Sequence, residues 1–236
     1  MKRQGWILVA GLVIALGYVW LRGGFVGGSG ERAEPIPPAP AAAADATDAT
    51  DVRPAAAPTK PGTARAIFAS GCFWCTEADF DKVPGVLSTT SGYTGGTMVN
   101  PDYKSVSSGR TGHAEAVEVV YDTSVVTYDD LLDHYWHNVD PFTAHRQFCD
   151  VGTQYRPELF VLNAEQRAAA EASKKRIQGQ FKDMAVVVTI SDAGVFYPAE
   201  EYHQDYYKKN SAQYRFYRYG CGRDARLQAI WGDGHS

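Results

Sequence analysis

The stretch Ala66-Ile67-Phe68-Ala69-Ser70-Gly71-Cys72-Phe73-Trp74-Cys75-Thr76-Glu77 passes from a strand-like run through one glycine into a helical pattern. Cys72 to Lys82 carries the helical spacing and stops before the breaker pair Pro84-Gly85. The thiols of Cys72 and Cys75 therefore fall on one helical turn near a helix N-terminus. A free thiol with a pKa of about 8.5 is only about 3% ionised at pH 7, whereas backbone N–H groups and the helix dipole bring the value toward about 7. The expectation is a thiolate, and with it thiol redox chemistry.

Downstream, Val86 to Ser91 extends toward the turn Gly92-Tyr93-Thr94-Gly95-Gly96, and a long loop from Thr97 to Thr111 has the length of a functional segment. Glu115-Ala116-Val117-Glu118-Val119-Val120-Tyr121 alternates as a strand, with Val117, Val119 and Tyr121 on one face. Glu115 shares that parity and is aimed where the apolar side chains go. Thr127 with Asp130 predicts a capped helix carrying Leu131, Leu132, Tyr135 and Trp136 up to Asn138. Asn163 with Gln166 predicts a second helix to Phe181, and Val186, Val188 and Ile190 mark one more strand. Strands and helices interleave without a repeating βαβ unit, so the expected class is α+β, a mixed sheet with helices packed on it and a loop-rich C-terminal tail.

The chain divides into three parts. Residues 1–22 hold Met1-Lys2-Arg3 and an apolar run, Trp6 to Leu21, whose 16 residues reach about 24 Å as a helix against a hydrocarbon core of about 30 Å. Trp6 and Trp20 bracket the run as interfacial aromatics do and no small-x-small site follows closely, which favours a membrane anchor over a cleaved signal. With Lys2 and Arg3 held inside, the domain faces the exported side: inner-membrane anchored with its catalytic part in the periplasm, or secreted there after cleavage. Residues 23–62 contain seven of the twelve prolines, mixed with alanine, and read as a disordered linker. Residues 63–236 form one domain large enough to bury a core. The net charge of −4, with basic residues scattered, excludes a nucleic-acid partner.

A nucleophilic thiolate needs an acid to protonate what leaves, and Glu115 in Gly112-His113-Ala114-Glu115 is the candidate. At the ordinary pKa of about 4.3 it is about 0.2% protonated at pH 7, but desolvation that raises it to about 6–7 supplies the acid form. The bland alternative is a glutamate at a strand end paired with lysine or arginine. Phe73 and Trp74 beside the thiols offer an apolar wall for a small group such as an S-methyl, or are simple core.

Six blocks together resemble the peptide methionine sulfoxide reductase A family: Gly71 to Trp74, Gly92 to Gly96, Asn100 to Tyr103, Gly109 to Glu115, Asp150 to Arg156 and Phe196 to Gln204. The resemblance spans about residues 65–210. It implies reduction of the S epimer of methionine sulfoxide, free or in proteins, with no metal or bound organic cofactor and with an external thiol reductant such as thioredoxin. Carried over by position, Cys72 is the nucleophile, Glu115 the proton donor, and Tyr103 and Tyr155 bond the sulfoxide oxygen. Phe73 and Trp74 hold the methyl group, and Asp150 helps to order the site. The implied core is a two-layer sandwich resembling a ferredoxin-like arrangement.

The implied reaction leaves Cys72 as a sulfenic acid that a second thiol must resolve. Cys75 is nearest in sequence and is favoured; Cys221, in the flexible-looking Tyr219-Gly220-Cys221-Gly222, is the alternative resolver or a relay to the external reductant. Cys149 stands where the family often has asparagine and reads as a buried spectator. Two other classes compete. A thioredoxin-like oxidoreductase also uses Cys-x-x-Cys at a strand-to-helix junction, but it leaves the Gly-His-Ala-Glu block unexplained. A structural zinc module would draw on the four cysteines with His113 or His203, and it lacks a second close ligand pair.

Overall fold

The computed structural model describes residues 53–54 and 60–232. The apolar run 6–21, and the linker 23–62 apart from residues 53–54 and 60–62, lie outside the described residues. Among the described residues no helix is long and apolar enough to cross a membrane.

The strands are β1 (Arg53–Pro54), β2 (Thr63–Ser70), β3 (Val86–Thr94), β4 (Ala114–Asp122), β5 (Arg146–Gln147), β6 (Asp150–Val151), β7 (Pro157–Val161), β8 (Thr189–Asp192) and β9 (Val195–Pro198). The helices are α1 (Phe73–Phe80), α2 (Tyr103–Ser107), α3 (Tyr128–His137), α4 (Ala164–Gln180), α5 (Tyr206–Lys209), α6 (Ser211–Gly220) and α7 (Arg223–Trp231). Seven strands form one sheet in the order β1-β9-β3-β4-β2-β7-β8, and β5 and β6 make a separate hairpin. Neighbours run antiparallel except β7 and β8, which are parallel, so the sheet is mixed and the class α+β.

Strand β2 sits between β4 and β7, and all its residues from Arg65 to Ser70 are buried. A strand covered on both faces is apolar throughout rather than alternating. Its period of two still sorts the side chains: Ala66 and Phe68 join Val117, Val119, Leu131, Tyr135 and Trp136 in the main core. Ile67 and Ala69 face the other way with Ala114, Ala116, Phe160 and Phe196. Glu115 falls on the main-core side of β4, as the alternation requires. On the opposite face Arg65 and Glu118 pair as buried ions.

Helix starts follow the sequence signals. Thr127 and Asp130 form a reciprocal box at the start of α3. Asn163 accepts the Gln166 N–H at the start of α4, but the Gln166 side chain turns instead to the Leu162 N–H and the Arg65 carbonyl. The expected loop 97–111 contains the short α2, capped by Asp102 and Ser105.

Three expectations are corrected. Val186 and Val188 are buried but precede the strand, which begins at Thr189. Arg53–Pro54, inside the stretch read as linker, pair with Phe196 and Val195. The expected loop-rich tail is largely helical from Tyr206 to Trp231, because partners distant in sequence hold it. Tyr214 packs in a cluster with Cys75 and Ala78, and Arg223 reaches the carbonyls of Ser70 and Asn138.

Candidate active site

Cys72 is the N-cap of α1, yet its side chain makes no capping bond. Such a helix start leaves backbone N–H groups without intrahelical partners. Glu115 of β4 takes the first of them: its Oε2 accepts the Phe73 N–H at 3.0 Å. The carboxyl is therefore held by a backbone donor rather than by a lysine or arginine. It is only 2% exposed, and burial, with Asp150 and Cys75 nearby, pushes its pKa up to about 8 despite that hydrogen bond. At neutral pH Glu115 carries a proton.

The thiol pair corrects the first expectation. Burial pushes the Cys72 pKa up, and Cys75, Glu115 and Asp150 push it further. Cys75 moves the other way: the hydrogen bond from Cys72 lowers it, burial opposes, and the guanidinium groups of Arg223 and Arg218 lower it again. The helix start does hold an acidified thiol, but it is the second of the pair. Cys75 is 2% exposed and packs against Ala78, Tyr206 and Tyr214, so it faces the interior.

Cys72, Phe73, Trp74, Tyr103, Glu115, Asp150, Tyr155 and Tyr217 line one small cleft, of a size to suit a single side chain. The first seven are residues singled out from the sequence, and the fold brings them together. Cys75 lies behind Cys72 rather than on the wall. Tyr103 opens α2, and Tyr155 ends the turn Thr153–Tyr155. Burial raises the pKa of both hydroxyls, so each remains a donor. Gly152, at φ +141°, is required here, since a Cβ would stand 2.3 Å from Gln154 Oε1. Gln154 in turn donates to the Ser107 carbonyl and ties this turn to α2.

Three residues support the cleft in roles that the sequence reading did not assign, His203 having been named there only as a possible zinc ligand. Tyr217 of α6 donates to Asp150 Oδ2 at 2.5 Å; its aromatic spacing with Tyr214 was the available signal. Glu200 accepts the Tyr103 N–H and the Tyr93 hydroxyl, fixing the start of α2. His203, pushed down to about 4 by burial, is neutral and accepts the Trp74 indole N–H on Nδ1 at 3.0 Å. Trp74 is also stacked on Tyr206 at 3.7 Å.

Cys149 and Cys221 form a disulfide, with Cα atoms 4.9 Å apart. Cys149 is exposed, not the buried spectator expected, and Cys221 closes α6 instead of lying in a loose tail. Their sulfurs are spent on each other. Together with Asp150 they are the one cluster among the described residues with metal-ligand spacing, so the zinc reading loses two of its thiols. His113 accepts the Gly96 N–H on Nδ1 and binds the Met98 carbonyl through Nε2, which pins the long loop rather than a metal.

The family model described as "Peptide methionine sulfoxide reductase" matches residues 64–235. The chain is 50% identical over 175 residues to peptide methionine sulfoxide reductase MsrA of Listeria innocua, covering 73% of this chain and 98% of that protein. It is 50% identical over 178 residues to MsrA 2 of Caulobacter vibrioides, covering 75% and 90%. Among solved structures, reduced Mxr1 of Saccharomyces cerevisiae is similar with a TM-score of 0.62 and 31% identity, over 65% of this chain and 90% of that one. Methionine sulfoxide reductase A of Corynebacterium diphtheriae is similar with a TM-score of 0.58 and 34% identity, over 64% and 77%. A domain-wide match in sequence and fold, around a cleft that sets the Cys72 thiol beside a protonated carboxyl, means that this chain belongs to the peptide methionine sulfoxide reductase family.

Proposed function

We propose that this protein reduces the S epimer of methionine sulfoxide, free and in proteins, to methionine and so repairs oxidised proteins. The observation that carries the reading is Glu115, buried and protonated at neutral pH, on the same cleft wall as Cys72. Phe73 and Trp74 receive the methyl group, and the Tyr103 and Tyr155 hydroxyls donate to the sulfoxide oxygen. As Cys72 Sγ bonds the substrate sulfur, its proton passes to water and Glu115 gives its proton to the oxygen. The hydroxyl oxygen then passes from the substrate sulfur to Cys72 Sγ as the bond between the two sulfurs breaks, so methionine leaves and Cys72 is left as a sulfenic acid. Cys75 then attacks that sulfur, water departs and a Cys72–Cys75 disulfide forms. An external dithiol of the thioredoxin type restores both thiols, and the chemistry asks for no metal or organic cofactor.

The finer architecture is read as a two-layer sandwich with a ferredoxin-like core. Supporting it, β2, β3, β4 and β7 run antiparallel in the order β3-β4-β2-β7, with α1 and α3 as the connections. For location, the apolar run of residues 6–21 behind Lys2 and Arg3 supports an inner-membrane anchor with the domain in the periplasm, or secretion there after cleavage. A disulfide between Cys149 and Cys221 suits such an oxidising compartment.

The test is turnover of each sulfoxide epimer with dithiothreitol and with thioredoxin. Reduction of the S epimer alone is expected with both, and no turnover of either epimer with dithiothreitol refutes the reading.

A further inference from the structure

Trp74, one wall of the cleft, is gripped on two sides by one short segment of chain. His203 accepts its indole N–H at 3.0 Å, and the Tyr206 ring lies flat against its face, 3.7 Å away and tilted by 6°. Between these two residues the backbone turns at Asp205, whose φ is +53°. A residue with a side chain adopts that left-handed conformation when its surroundings enforce it, and such positions cluster where a fold holds something in place.

Bonds on either side of the turn enforce it. The Gln204 side chain accepts the Ser91 N–H at 2.9 Å and donates to the carbonyls of Ser91 and Ala199 at 2.9 and 2.8 Å, which fixes the residue before the turn to β3. The Asp205 N–H itself donates to Glu77 Oε2 at 3.0 Å. Glu77 lies three residues after Trp74 on α1 and is 1% exposed, and the reaction written for Cys72 and Glu115 does not use it. Helix α1 therefore carries both the indole and the carboxyl that seats the indole's stacking partner. A buried N–H deprived of its acceptor forces the backbone to move toward another, and Tyr206, the next residue, moves with it.

We propose that Glu77 is a positioning residue for the substrate wall: through the Asp205 N–H it seats Tyr206 on Trp74, and so fixes the face that receives the methyl group. This rests on the reductase reading and adds to it a carboxyl that acts on the substrate through two other residues. Its loss weakens the hold on bound sulfoxide and leaves the reacting groups, Cys72 and Glu115, in place.

The test is single-turnover formation of methionine by the full-length protein, with Cys72 and Cys75 reduced and no reductant present, as a function of methionine sulfoxide concentration. Glu77→Met removes the carboxyl oxygens at similar length, and Glu77→Asp withdraws the carboxyl by one methylene. Each is expected to raise the half-saturating sulfoxide concentration about 5–10-fold while the maximal rate stays within about twofold. Glu77→Gln keeps an acceptor oxygen and is expected to restore the half-saturating concentration to within about twofold of wild type. In a Tyr206→Ala background Glu77→Met is expected to add less than about twofold, because the ring through which it acts is gone. A half-saturating concentration unchanged in folded Glu77→Met or, where that variant does not fold, in Glu77→Asp overturns the proposal. So does an effect of full size without the Tyr206 ring, which leaves Glu77 a purely structural part. Absence of methionine release by the wild type refutes the reductase reading instead, so the two failures are distinguishable.

Discussion

The Phe73 N–H donates to Glu115 Oε2 at 3.0 Å, so the carboxyl proposed as the acid also closes the start of the helix that carries the thiols. The bond ties the carboxyl to the residue that follows Cys72, and charge on Glu115 raises the Cys72 pKa.

Glu115 carries its proton below pH about 8 and loses it as pH rises through that value. The rate constant kcat/KM is therefore expected to fall on the alkaline side of about 8. Glu115→Gln should lose about 10²–10⁴-fold in kcat, a typical general-acid contribution. It should also lack the alkaline limb; a limb that persists unchanged in the variant assigns it to another group.

Cys72→Ser should be inactive with every reductant. Cys75→Ser should release one methionine per enzyme and accumulate a sulfenic acid on Cys72 that a dimedone-type probe labels. Rapid thioredoxin turnover by Cys75→Ser, with no labelling, would transfer the resolving role to another cysteine.

His203 accepts the Trp74 indole N–H and is neutral across the working pH range, with its pKa pushed down to about 4. His203→Phe keeps the ring volume and removes the acceptor, at a cost of about 0.5–1.5 kcal/mol. An increase of about 3–10-fold in sulfoxide KM is expected, with altered Trp74 fluorescence. Unchanged KM and emission would mean that stacking on Tyr206 suffices to hold the indole.

Glu77 of α1 accepts the Asp205 N–H at 3.0 Å, and burial pushes its carboxyl up to about 7. The folded state then binds more protons than the unfolded chain between pH about 4.5 and about 7, so this group's contribution to stability declines as pH rises through that window. Glu77→Gln keeps an acceptor oxygen and removes the charge. It should be more stable than wild type at pH 8 by about 3 kcal/mol, with the difference vanishing at pH 4. Thermal unfolding at both pH values checks this.

The Cys149–Cys221 bond joins positions 72 residues apart and restrains the unfolded chain by about 4 kcal/mol. A reducing agent should lower the unfolding temperature of wild type by several degrees and leave that of a Cys149→Ser, Cys221→Ser double variant unchanged.

Much of this could be read along the chain. The alternation of β4 assigned Glu115 to the core face, and Thr127 with Asp130 marked the first turn of α3, because strand parity and helix capping act over a few residues. The same local reasoning failed for the C-terminal helices. Tyr217 and Arg218 of α6 and Arg223 of α7 take their places from Asp150, Asp79 and Ser70, all remote in sequence.

The sequence by itself determined the strand–glycine–helix junction, the two thiols on one turn, the glutamate facing inward and the six family blocks. The tertiary structure decided which thiol is acidified, which cysteines are bonded, and that Tyr217, Glu200 and His203 support the cleft. Burial and the charges that shift a pKa come from side chains brought in by other elements. Arg218 and Arg223 act on Cys75 from the far end of the chain, and no short-range pattern around Cys72 encodes them.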